Sequence, residues 1–120
     1  MVVYINKKKY NQIQMTQGSF DTFLPFRRDL QTPCLLFCKW ENCGHCHQMA
    51  PHVKKAQMVL KKNVPVYAVD AEKNADVIRT FKVTGFPELF FLGPDRRLMR
   101  YKGPRTAEGI LAFTRANLKK

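Results

Sequence analysis

Cys43-Gly44-His45-Cys46 is the stretch whose residue types and spacing best suit covalent chemistry. Two cysteines with two residues between them can cycle between a dithiol and a disulfide. Their setting matters as much as their spacing. An apolar run, Leu35-Leu36-Phe37-Cys38, leads in as a strand, and a helical pattern from His47 through Lys62 leads out. A cysteine at a helix start meets unpaired backbone N–H groups and a partial positive charge, and both favour thiolate over thiol. By position, Cys43 is the expected nucleophile and Cys46, one turn further in, the expected resolving thiol. His45 lies two residues after Cys43, and an imidazole that is protonated or hydrogen-bonded next to Cys43 stabilises the thiolate further.

The elements that must position this dithiol follow from pattern. Asn11 to Met15 reads as a strand, and Thr16 to Ser19 as turn and cap. Phe20, Phe23 and Leu24 form a helical stripe from about Ser19, interrupted near Pro25. Thr32-Pro33 opens a central strand from Cys34 to Lys39 or Trp40, apolar enough to be buried on both faces. The helix after the dithiol carries Met49, Val53, Ala56, Val59 and Leu60 inward, contains Pro51 and ends at Asn63. Val64 to Val69 is a second buried strand, ending at Asp70, and Asn74 to Phe81 a short helix with Ala75, Val77 and Ile78 available for packing. Leu89 to Leu92 and Leu98 to Tyr101 form a hairpin around Gly93-Pro94-Asp95. Thr106 caps a last helix with Ile110, Leu111, Phe113 and Leu118 inward. The order implies one α/β domain: a central mixed sheet with a C-terminal hairpin, flanked by helices on both faces.

At 120 residues the chain can bury a real core without disulfide staples. Its four cysteines do not form a disulfide framework; Cys34 and Cys38, four apart in a strand, sit roughly 13 Å from each other and read as buried thiols. No apolar stretch is long enough to span a membrane. The formal net charge is +12, with basic runs such as Lys7-Lys8-Lys9, Lys54-Lys55 and Arg96-Arg97. Such a surface attracts polyanions, and weak binding of nucleic acid is expected without any sequence-specific motif to direct it. Residues 1–10 read as a basic N-terminal extension with a short strand at Val2 to Ile5, and residues 11–120 as the domain proper. The first residues lack the order of a secretory signal, which favours a cytoplasmic or virion location, or the endoplasmic reticulum lumen if a signal has been removed.

Several of these pieces together resemble the thioredoxin fold, and most closely the catalytic domain of the protein disulfide isomerase branch. They are Met15-Thr16-Gln17-Gly18-Ser19-Phe20-Asp21, Cys43-Gly44-His45-Cys46, Met49-Ala50-Pro51, Val69-Asp70-Ala71, Val83-Thr84-Gly85-Phe86-Pro87 and the run from Tyr101 to Ile110. The resemblance implies a thiol-disulfide oxidoreductase acting on protein substrates as a monomer, without cofactor or metal. It implies that Cys43, Cys46, His45 and Arg105 serve catalysis, Arg105 by approaching the inner cysteine. It also implies a cis bond before Pro87, with Phe86, Pro87, Gly44 and Asn42 forming the substrate surface.

The chain departs from that branch at three places. The buried carboxylate usual six residues before the first cysteine is Phe37 here, its lysine partner is Ala68, and the tryptophan before the dithiol is Asn42. Losing acid and lysine together avoids an uncompensated buried charge. It leaves resolution by Cys46 slow unless Arg105, a water or another group substitutes. Other readings use the same residues. Cys43 to His47 spells the C-x-x-C-H attachment of c-type haem, and Cys43, Cys46, His47 and His52 offer a zinc set crowded onto one helix start. A non-catalytic module that binds an anionic partner through its basic surface is the remaining alternative.

Overall fold

The computed structural model describes residues 2–4, 24–25 and 30–118. Its strands are β1 (Val2–Tyr4), β2 (Leu24–Pro25), β3 (Cys34–Lys39), β4 (Val66–Asp70), β5 (Glu88–Leu92) and β6 (Arg97–Arg100). Its helices are α1 (Gly44–Leu60), α2 (Ala75–Thr80) and α3 (Ala107–Leu118). The strands form one mixed sheet in the order β1-β6-β5-β3-β4-β2. β3 runs parallel to β4 and antiparallel to β5, β5 and β6 make the hairpin, and β1 closes one edge antiparallel to β6.

Alternation along β3 divides the core. Cys34, Leu36 and Cys38 point to one face, where Val77 and Phe81 of the α2 region cover them. Leu35 and Phe37 point to the other, beneath α1 and Ile110 of α3. A strand with helices on both sides must be apolar at consecutive positions, which is why this run does not alternate with polar residues. The same parity puts Lys39 and Asp70, the last residues of β3 and β4, on the α1 face beside each other in register.

Several sequence expectations need correction. The expected strand at 11–15 and most of the helix from Ser19 lie outside the described residues. Leu24 and Pro25, expected at a helix and its interruption, instead form β2, parallel to β4 at the sheet edge. Proline biases its predecessor to extended backbone and its missing N–H is tolerated at an edge. α1 begins at Gly44, not His47, so Cys43 caps it and Cys46 lies in its first turn. Val59 is exposed because the buried stripe of α1 runs through Val53, Ala56 and Leu60, and Val59 stands about 100° off it. Leu118, in the last turn of α3, is 40% exposed, and Ala75 is exposed at the start of α2, where Val77 is the buried residue.

Cys34 and Cys38 are both buried free thiols. Burial pushes the Cys34 thiol from its ordinary value near 9 up to about 12, and Cys38 is raised as well, by burial first and then by Glu88. The folded state therefore keeps protons that the unfolded chain releases. This contribution to stability is complete below about pH 9 and is lost as pH rises toward the folded values. Urea unfolding should show a stability loss above pH 9 approaching ~1.4 kcal/mol per pH unit for each thiol. A Cys34→Ala, Cys38→Ala variant should lose stability less steeply over the same range; equal slopes would contradict the assignment.

Candidate active site

β3 ends at Lys39, and four residues later the chain turns into α1. The link is closed by the Cys43 N–H donating to the Trp40 carbonyl at 3.0 Å. Cys43 keeps extended backbone and occupies the N-cap position, which serine, threonine, asparagine or aspartate usually fills. Its sulfur does the capping: the Cys46 backbone N–H donates to Cys43 Sγ at 3.2 Å. One residue spacing thus serves both helix initiation and the pairing of the thiols. Negative charge that develops on Cys43 Sγ meets a donor and the positive end of a helix of 17 residues.

The two sulfurs differ in access. Cys43 is half-buried, whereas Cys46 is 1% exposed. Burial pushes the Cys46 thiol up to about 12, and its hydrogen bond with the Cys43 side chain adds to the rise. The Trp40 backbone and the Lys39 ammonium pull it the other way. Gly44 and His45 are exposed between them. A Cβ at Gly44 would meet no atom within 4 Å, so glycine here leaves open the space in front of the dithiol.

β5 lies along the other edge of β3 from β4. Because β5 runs antiparallel to β3, Glu88 pairs with Cys38, and Pro87 comes level with Lys39 one step beyond. The Phe86–Pro87 peptide bond is cis, as is Thr32–Pro33. Pro87 is buried and Phe86 partly so, packed on the α2 side of the core. Arg100 braces this approach: its guanidinium donates to the Phe81 and Lys82 carbonyls and lies 3.5 Å from the Glu88 carboxylate. Asn42 is exposed before Cys43. Trp40 is 39% exposed and its indole N–H donates to Glu72 at 2.9 Å, which ties the ring to the turn after β4.

Arg105 is exposed in the loop before α3, which the Tyr101 hydroxyl anchors by donating to the Pro104 carbonyl. α3 starts against α1 at His52, whose Nδ1 accepts from the Ala107 N–H at 3.3 Å, nearly two turns along from Cys46. His47 and His52 turn to different partners, Nε2 of His47 to the Glu41 carbonyl at 2.9 Å and His52 to α3, rather than converging with the cysteines.

One feature escaped the sequence reading. Lys39 is 1% exposed and its Nζ lies 3.5 Å from Asp70 Oδ2. Asp70 is held in turn by the Glu72 and Lys73 N–H groups, which donate to Oδ1 at 2.9 and 3.2 Å. The available signal was a lysine ending one buried strand and an aspartate ending the next. Iodoacetamide at pH 8 should label Cys43 in the folded protein and spare Cys46. Cys43→Ser should then take up no label until the chain is unfolded; rapid labelling of Cys46 in that variant would contradict the difference in access.

Residues 11–116 match the thioredoxin family. The chain is 40% identical over 80 residues to protein disulfide-isomerase of Saccharomyces cerevisiae, a match covering 64% of this chain and 15% of that protein. It is 32% identical over 114 residues to the protein disulfide-isomerase A6 homolog of Caenorhabditis elegans, covering 94% of this chain and 25% of that one. The chain thus spans a quarter or less of these curated relatives. Among solved structures, the first thioredoxin domain of mouse protein disulfide-isomerase A4 superposes with a TM-score of 0.69 at 26% identity, covering 88% of this chain and 81% of that one. The sheet order, the dithiol at the start of α1 and the match over residues 11–116 agree, and the chain belongs to the thioredoxin family.

Proposed function

We propose that this chain is a thiol-disulfide oxidoreductase acting on cysteines of protein substrates. The observation that carries the reading is the asymmetric dithiol: an accessible Cys43 sulfur capping α1, and a buried Cys46 hydrogen-bonded to it through the backbone. Cys43 attacks a substrate disulfide and is joined to one substrate sulfur. Cys46 then attacks Cys43, forms the internal disulfide and releases the substrate. Run in reverse, the oxidised pair donates its disulfide to a substrate dithiol.

Substrate approaches over the exposed Gly44, between Asn42 and Trp40 on one side and Phe86-Pro87 on the other. An extended segment suits a site at strand ends, where main-chain groups can add to affinity. His45 beside Cys43 favours the reduced form and so shifts the couple toward oxidation and isomerisation. The net charge of +12 favours clients with acidic segments near their cysteines.

Reduction of insulin and refolding of scrambled ribonuclease test the reading. Wild type should catalyse at least one of them, and Cys43→Ala should reduce the rate by roughly a hundredfold or more, in line with loss of a covalent nucleophile. Cys46→Ala should accumulate substrate joined to Cys43, visible as a reducible adduct on a gel. An inactive wild type, or adducts that persist when Cys43 is replaced, would contradict it.

A further inference from the structure

The family's buried acid and lysine positions are occupied here by Phe37 and Ala68, which face each other across β3 and β4 in register. The next pair on that same face is Lys39 and Asp70. Two residues along a strand are one full pleat, roughly 6.6 Å. The charged pair therefore lies one pleat nearer the strand ends, and so nearer the first turn of α1. It is also reversed, with the cation on β3 and the acid on β4. An ammonium that is 1% exposed requires a reason beyond solubility, since replacing a buried ion pair with apolar residues is often neutral or stabilising.

We propose that Lys39, held by Asp70, is a positioning residue for Cys46: its charge favours the thiolate of Cys46 when that sulfur attacks the mixed disulfide. The inference rests on the dithiol reading above. In this step Cys46 loses its proton, and its electron pair forms the bond to Cys43 Sγ. The bond between Cys43 and the substrate breaks, and the departing substrate sulfur carries off that electron pair and takes up a proton. Over both steps the substrate disulfide gains two electrons and two protons, and the dithiol loses them. The charged and titratable groups that act on Cys46 are Cys43 from the helix cap and Lys39 from β3; Asp70 of β4 reaches the site through its ion pair with Lys39, and Cys38, raised by burial, lies on the opposite face of the sheet. Asp70 accepts two backbone N–H groups and pairs with the ammonium, which fixes the position of the Lys39 charge. The Lys39 ammonium lowers the cost of ionising Cys46, the direction its charge acts in this site.

Dithiobis-nitrobenzoate separates the two steps in one stopped-flow trace. The first release of thionitrobenzoate reports attack by Cys43, and the second reports resolution by Cys46. The paired variant Lys39→Met with Asp70→Asn removes both charges and leaves no ion unpaired. Its first phase should stay within about twofold of wild type, and its second should slow roughly tenfold near neutral pH, equivalent to one pK unit of lost thiolate. The gap should close as pH rises. Lys39→Arg, which keeps the charge, should retain the fast second phase. Lys39→Gln gives the same readout as the paired variant should that variant not fold. A second phase unchanged in the neutral variants, or both phases slowed equally at every pH, overturns the proposal while leaving the dithiol reading intact. A wild-type trace without a second phase overturns the dithiol reading itself.

Discussion

The hydrogen bond from the Cys46 N–H to Cys43 Sγ is the constraint on which the site depends. It makes a sulfur the cap of α1. The chain must reach Cys43 in extended geometry, turn helical at Gly44, and bring Cys46 back over it one turn later. Each sulfur's environment follows from this. The cap stays at the surface because it lies outside the helix, whereas the residue three along falls on the face that packs against the sheet. Accessibility of one thiol and burial of the other are thus consequences of helix geometry rather than separate features.

That geometry needs a rigid base, which β3 supplies. It is buried throughout and paired on both sides, so its C-terminal end is fixed by the strands and by helices on both faces. The parity of β3 also decides which side chains meet the dithiol from below. Phe37 contributes packing alone, and Lys39, one pleat further, brings charge. A buried lysine is tolerated there because the parallel register sets Asp70 beside it, and Asp70 is itself fixed by the turn after β4. Moving a charged pair along two neighbouring strands costs little when each replacement keeps its partner.

Much of this was legible in local pattern. The unbroken apolar run predicted β3, the stripe Met49, Val53, Ala56 and Leu60 predicted the buried face of α1, and the turn at Gly93 to Asp95 predicted the hairpin. The thioredoxin fold was evident from ordered short motifs. What stayed hidden was register. Lys39 and Asp70 are 31 positions apart, and their meeting depends on how β3 aligns with β4, which neither segment encodes by itself. Helix ends were hidden as well. Leu118 and Val59 are apolar residues near helix ends that stay exposed, Val59 because it stands off the buried stripe of α1.

We propose that Cys43 and Cys46 form one reversible redox couple. Equilibration of the protein in glutathione buffers, followed by acid quenching and mass analysis, tests it most directly. A single internal disulfide between Cys43 and Cys46 should appear and disappear reversibly. Its potential should lie nearer about −180 mV, as in disulfide isomerases, than about −270 mV, as in thioredoxin. A protein that collects glutathione on Cys43 without ever closing the internal disulfide, or that exchanges nothing at any ratio, would contradict it.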